Sequence, residues 1–260
     1  MKKVWTLTAV CLLSALLLAS CRDSGVSTND GVPSKESEKT PSETVLAEES
    51  PAPEDIEGSR GLEYRLEGDS YVLVGIGYCE LSDIVIPAYY QGKPVSRINK
   101  TAFRNCNQLK TVTIVNGVTK IGEAAFYGCR SLYRVVIPDS VTEIERSAFL
   151  ECSSLHELTL GNGVQIIGDS AFSFCRSLEN FVLPQSVTTV GNRAFYGSCM
   201  ESVVVSKNVM SMGERAFESF EVYCELERTP EGWNDNWMGA SEVVYWAGSW
   251  EYVDGVPTKK

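Results

Sequence analysis

From about Gly61 onward the apolar residues return in fixed columns. Phe103, Phe126, Phe149, Phe172 and Phe195 stand 23 residues apart, each preceded by Ala, and Phe217 follows after 22. Six residues beyond the Phe come Leu109, Leu132, Leu155 and Leu178. Nine and eleven beyond it come Val112 and Ile114, Val135 and Ile137, Leu158 and Leu160, Phe181 and Leu183. Positions two apart share one face of an extended chain, so each unit predicts one short strand with those two side chains inward and the residue between them outward. Pro138-Asp139, Gly161-Asn162-Gly163 and Pro184-Gln185 stop the strand. A compact stretch then carries two further columns, Val118, Val141, Val164, Val187 and Ile121, Ile144, Ile167, Val190, to the next Ala-Phe pair. One unit of this size cannot cover its own apolar residues. Units stacked at the parallel-strand spacing of ~4.8 Å can, and about seven of them would make a solenoid roughly 30 Å long.

The pattern Ile-x-x-x-Ala-Phe-x-x-Cys-x-x-Leu-x-x-Val-x-Ile-Pro, read from Ile121 to Pro138, resembles the BspA-type, or Treponema-type, leucine-rich repeat. The resemblance covers Gly61 to Trp250 and implies a right-handed leucine-rich-repeat coil with a one-face parallel β-sheet. The segment 61–98 reads as an N-terminal cap and first coil. Within it Tyr64-Arg65-Leu66 and Tyr71-Val72-Leu73 flank Glu67-Gly68-Asp69-Ser70 as a β-hairpin would. Residues 99–221 hold the repeats, and 222–260 form a C-terminal cap and tail, with Tyr223 through Trp237 resembling the family's closing segment. The pattern departs at Phe195 to Met200, where one residue is lost and Met200 stands in for Leu.

The N-terminus is built differently. Lys2 and Lys3 precede an uncharged, mostly apolar run from Val4 to Ser20 that ends at Cys21. This is the plan of a secretory signal over 1–20, and Leu18-Ala19-Ser20-Cys21 resembles the bacterial lipobox, which implies cleavage after Ser20 and lipidation of Cys21. Residues 21–60 are rich in Ser, Glu, Pro, Thr and Asp and too poor in large apolar residues to offset the entropy of ordering. As a flexible acidic linker they would average roughly 35 Å end to end. A secreted protein, lipid-anchored to the bacterial cell membrane or outer surface, is the expectation. The formal charge of −11 falls further once Lys2 and Lys3 are removed, which disfavours nucleic acid and anionic lipid surfaces as partners.

Candidate chemistry is sparse. Cys106, Cys129, Cys152 and Cys175 recur three residues after the Phe, far from the close spacing of metal or redox pairs, and stacked parallel side chains make poor disulfides. They read as buried thiols. His156, the single histidine, has no marked nucleophile or orienting acid. Gly75-Ile76-Gly77 lacks the third glycine of a phosphate cradle, and Asn234-Asp235-Asn236 lacks the Gly and Glu of a calcium loop. No enzyme, metal or cofactor is expected.

The outward strand positions Val85, Thr113, Val136, Thr159, Val182 and Val204, with Lys110, Thr111, Tyr133, Arg134, His156, Glu157, Glu179 and Asn180 beside them, fit any solvent-facing strand. They fit equally a binding strip bordered by interface-prone residue types. The family resemblance implies adhesion to host matrix, host cells or other bacterial surface proteins, and the outward positions of the strip give Lys110, Thr113, Tyr133, Arg134, Val136, His156, Glu157, Thr159, Glu179 and Asn180 as the candidate ligand-binding residues. Arg130 and Glu151, on the other side of the coil, are expected to stand outside that site. A structural envelope lipoprotein with no specific ligand is the alternative.

Overall fold

The computed structural model describes residues 57–77, 79–178, 181–217, 221–239, 243–254 and 256–260, with Phe181 in its backbone only. The signal segment, Cys21, the linker up to residue 56, Glu179 and Asn180 lie outside the described residues.

The chain opens with a hairpin, β1 (Glu63–Glu67) and β2 (Ser70–Gly75), whose pairing closes at Glu67 and Ser70 around Gly68-Asp69. Gly68 has a φ of 62°, the left-handed value that a II′ turn requires at its first loop position. Next come β3 (Asp83–Ile86), β4 (Tyr89–Tyr90) and β5 (Lys93–Ile98). In the repeats, strands of up to four residues alternate with strands of two. The order is β6 (Thr111–Ile114), β7 (Lys120–Ile121), β8 (Arg134–Ile137), β9 (Glu143–Ile144), β10 (Glu157–Leu160), β11 (Ile166–Ile167), β12 (Phe181–Val182), β13 (Thr189–Val190), β14 (Ser202–Val205), β15 (Ser211–Met212) and β16 (Glu221–Cys224). The chain closes with β17 (Val243–Tyr245) and a second hairpin, β18 (Trp250–Val253) and β19 (Val256–Lys259).

Three hydrogen-bonded ladders join coil to coil. The first is the expected parallel sheet, in the runs β3-β6-β8-β10 and β12-β14-β16-β17. The sequence reading placed one strand in each unit; the structure adds a second parallel ladder, β2-β5-β7-β9-β11-β13-β15, through the column that contains Ile121 and Ile144. The third has no strand in it. Thr101, Phe103 and Asn105 donate their N–H groups to the carbonyls of Glu123, Ala125 and Tyr127, and Ala124, Phe126 and Gly128 repeat this onto Arg146, Ala148 and Leu150. Left-handed residues make the geometry. Thr101, Ala124, Ser147, Ser170, Arg193 and Arg215, two before each Phe, have φ of 51–58°. Such a conformation costs an ordinary residue roughly 1 kcal/mol, which the inter-coil hydrogen bonds offset.

The core follows from the stacking. The Phe rings form one nearly parallel pile with centroids 4.9–5.3 Å apart from Phe103 to Phe217, and all six are fully buried. The Leu column is buried beside them, and Met200 fills its place where the residue is lost, so β14 stays in register with β12 and β16. The cysteine column is buried and free of disulfides from Cys129 to Cys175, with Cys106 half-buried at its end. Its thiols donate backwards along the axis, Cys129 Sγ to the Phe103 carbonyl at 2.9 Å and Cys152 Sγ to that of Phe126 at 3.1 Å. Burial pushes the Cys129 thiol up to about 12, so it stays protonated at neutral pH. At the shortened unit Ser198 takes the thiol's place and donates to the Phe195 carbonyl at 2.6 Å, leaving Cys199 exposed.

Both ends are closed by aromatic residues. Tyr64 stacks on Tyr90 at 4.0 Å, with Tyr71 edge-on to both, against the first coil. At the other end Trp233 packs edge-on to Trp237 at 4.8 Å and donates its indole N–H to the Val209 carbonyl at 3.0 Å. Asn234 accepts the Asn236 N–H in a turn.

Phe149→Ala should cost about 3–5 kcal/mol, because both ring faces lose their neighbours and the coil cannot close over the cavity; a denaturation midpoint near the parent's would show the pile is not the core. Thiol titration of the folded chain should label Cys199 rapidly and Cys129, Cys152 and Cys175 only after denaturant is added. Consecutive disulfides along the column in a non-reducing mass measurement would contradict the thiol geometry.

Candidate functional site

Each outward residue of the strand face is placed by its own backbone bonds. The carbonyl just before each strand accepts two N–H groups from the next coil: Ser82 from Lys110 and Thr111, Lys110 from Tyr133 and Arg134, Tyr133 from His156 and Glu157, at 2.6–3.1 Å. That double bond in series sets Lys110, Tyr133 and His156 in one row at the coil spacing. The strand register sets two more rows beside it, Asp83, Thr111, Arg134, Glu157 and Val85, Thr113, Val136, Thr159.

In the middle of this face four sequence-predicted residues meet. Tyr133 stacks on His156 at 5.5 Å and donates its hydroxyl to Glu157 Oε1 at 3.1 Å, while Arg134 Nε lies 3.4 Å from Glu157 Oε2. The Glu157 hydrogen bond holds the Tyr133 proton more tightly than in an ordinary tyrosine, so Tyr133 is a neutral donor at physiological pH. His156 Nδ1 lies 3.1 Å from the Ser177 carbonyl, which leaves Nε2 toward solvent. All four are exposed, as are Lys110, Thr113 and Thr159, with Val136 half-buried between them. At the N-terminal edge Ser82 and Thr111 both donate to Asp83, and these bonds, Ser82's first, hold its carboxyl below the usual range. Such a surface can bind through aromatic, ionic and hydrogen-bonding groups held without mobile loops. Among the described residues no three His, Cys, Asp or Glu side chains lie close enough to hold a metal ion.

One outward position departs from expectation. Val204 belongs to the outward row, yet it is buried together with Tyr223 and Trp250, packed by Tyr245. The closing hairpin folds over this end of the face. Trp250 meets Tyr223 edge-on at 5.4 Å and donates its indole N–H to the Cys224 carbonyl at 3.0 Å. Lys259 reaches Glu221 at 3.3 Å and lies over the Tyr245 ring. The open strip therefore runs from Val85 to Val182, the latter 55% exposed, and ends at the hairpin. The sequence carries a signal for the hairpin, Asp254-Gly255 between two β-prone runs, but none for where it docks.

Residues 96–224 match, in six copies, the family described as the BspA type leucine rich repeat region. Among solved structures the chain is similar to the leucine-rich-repeat protein TpLRR of T. pallidum, at 31% identity and a TM-score of 0.59 over 63% of this chain and 79% of that one. It is also similar to a leucine rich cell surface protein of Faecalibacterium prausnitzii A2-165, at 26% identity and a TM-score of 0.51, covering 80% of this chain and 60% of that protein's length. No curated protein matches.

Trp250→Ala should lower stability by about 3 kcal/mol and speed amide exchange at Tyr223 and Cys224 while leaving the Phe126 and Phe149 amides protected. Uniformly faster exchange would mean that the hairpin supports the whole solenoid and does not merely cover its last coils.

Proposed function

The chain belongs to the leucine-rich-repeat solenoid family, with repeats related to the BspA type, and from that membership we propose that it is a cell-surface lipoprotein that binds other proteins through its open strand face. The observation that carries this reading is the exposed group of Tyr133, Arg134, His156 and Glu157, held in register by backbone bonds. An interface of residues already fixed loses little conformational entropy on binding, and rows at ~4.8 Å suit an extended partner that touches several coils. The proposed role is binding, with the His156 ring held by the Ser177 carbonyl and the Tyr133 face so that it presents a fixed edge to a partner. The F. prausnitzii relative is described as a cell surface protein, which agrees with display outside the cell.

The anchor in this proposal is a lipid on Cys21. Several acyl chains, each methylene contributing about 0.8 kcal/mol, would retain the protein firmly. The partners are host matrix, host cell or other bacterial surface proteins.

Captured from such extracts, a partner should bind saturably. Tyr133→Ala with Arg134→Ala should weaken it about tenfold or more, as expected for loss of an interface aromatic and its charged neighbour, with little change in melting temperature. Thr142→Ala with Gln165→Ala, beside the second ladder, should have no effect. Absence of any saturable partner would favour the structural envelope role, and the reverse pattern of mutant effects would move the interface off the strand face. Cys21→Ser should abolish fatty-acid labelling and release the protein from membranes; retention without label would instead indicate an uncleaved apolar segment.

A further inference from the structure

The repeat tolerates some residues poorly at one place on the turn side, and a cleft lies there. Two positions after each Phe the backbone is left-handed, with φ of 60° at Asn105, 71° at Gly128, 61° at Glu151, 58° at Phe174 and 68° at Gly197. Asn and Gly enter this region readily, whereas Glu and above all the bulky Phe do not. The two ill-suited residues are neighbours in the column, and together with Arg130, Ser153 and Arg176 they wall a cleft of about 410 Å³. Residues held in sparsely populated backbone regions gather where a ligand is held.

The chemistry of the walls is specific. The Phe174 ring lies against Gly197, where any side chain would collide with it, and meets Tyr196 edge-on at 5.5 Å. It remains half-buried, with the exposed Arg176 guanidinium 5.8 Å from its centroid and without an ion-pair partner among the described residues. Glu151 is oriented by Arg130 Nη2 at 3.0 Å and by the Tyr127 hydroxyl at 3.3 Å, one on each oxygen, so each oxygen keeps a lone pair for a further donor. An aromatic ring, a guanidinium with no carboxylate partner among the described residues and a carboxylate fixed for hydroxyl donors thus stand around one small concavity.

We propose that this cleft binds a carboxylated sugar unit of the uronic acid type. The apolar C–H face of the pyranose rests on Phe174, the sugar carboxylate takes the Arg176 fork, and ring hydroxyls donate to Glu151 and meet Ser153. Planar carboxylates suit guanidinium forks. The fixed Glu151 carboxylate requires that the ligand bring hydroxyls to its side of the cleft and keep its negative charge at the Arg176 side, which a sugar carboxylate can do and a phosphate, with charge on all its oxygens, cannot. The site is separate from the strand face and stands independently of the protein-binding proposal.

Ligand-observed NMR titration of the full chain with methyl glucuronide and methyl glucoside tests it. The glucuronide should bind about tenfold more tightly, and Arg176→Ala should remove about that preference, the loss of one charge-assisted pair. Phe174→Gly should abolish binding while the chain still folds cooperatively, because the fit of glycine to the left-handed backbone offsets part of the packing that the half-buried ring loses. Tyr133→Ala with Arg134→Ala should leave sugar binding unchanged. Equal binding of the two sugars, no saturable binding of the glucuronide, or binding that survives Arg176→Ala or Phe174→Gly would overturn the proposal.

Discussion

Coil-to-coil hydrogen bonding in parallel register is the constraint on which the rest of this structure depends. Once each backbone segment must bond to the equivalent segment of its neighbour, each side chain comes to lie over its own counterpart. A column then works only if its residue packs against a copy of itself at that spacing. Phe does so by near-parallel stacking, from Phe103 through Phe217. Cys does so by donating its thiol to the carbonyl of the preceding coil, a bond that an alanine would leave unmade. The same constraint explains why the lost residue near Cys199 does little damage. The shortening falls in the passage between turn and strand, Met200 and Ser198 occupy the vacated columns, and pairing resumes at Val203.

The buried columns were legible in the sequence because burial in a stacked repeat is periodic. Val135 and Ile137 read correctly as inward and Val136 as outward, and Glu67 to Ser70 read correctly as a hairpin. The second ladder was not legible, since two-residue strands such as Lys120–Ile121 are too short to show alternation. The turn ladder was hidden for another reason: its left-handed positions hold Thr101, Ala124, Ser147 and Arg193, none of which is a glycine that would advertise the conformation. Of the candidate strip, the meeting of Tyr133, His156 and Glu157 follows from register alone. The covering of Val204 does not, because docking of a terminal hairpin depends on a shape match between Trp250 and Tyr223 that no local pattern encodes.

The two surfaces differ in how they are made. On the strand face the backbone is regular and variety comes from side chains set on it, as with Tyr133 and His156 in successive coils. On the turn side the backbone itself is unusual, and Glu151 and Phe174 occupy conformations that suit smaller residues. A regular face can change residue by residue without disturbing the fold, whereas at the turn the inter-coil hydrogen bonds must offset the strain of each residue that is not glycine or asparagine.

The turn ladder also has a direction. From Thr101 to Phe174 the donors Thr101, Phe103 and Asn105, and their equivalents in the next three coils, point toward the following coil, and the acceptors face the preceding one. Each internal boundary therefore joins the same donor surface to the same acceptor surface. A unit excised or duplicated anywhere between the caps would leave matched partners at the new junction, so the number of coils is free to drift while the two ends stay as they are. Length, and with it the reach of the display, is the property that this architecture leaves most open to inheritance by duplication.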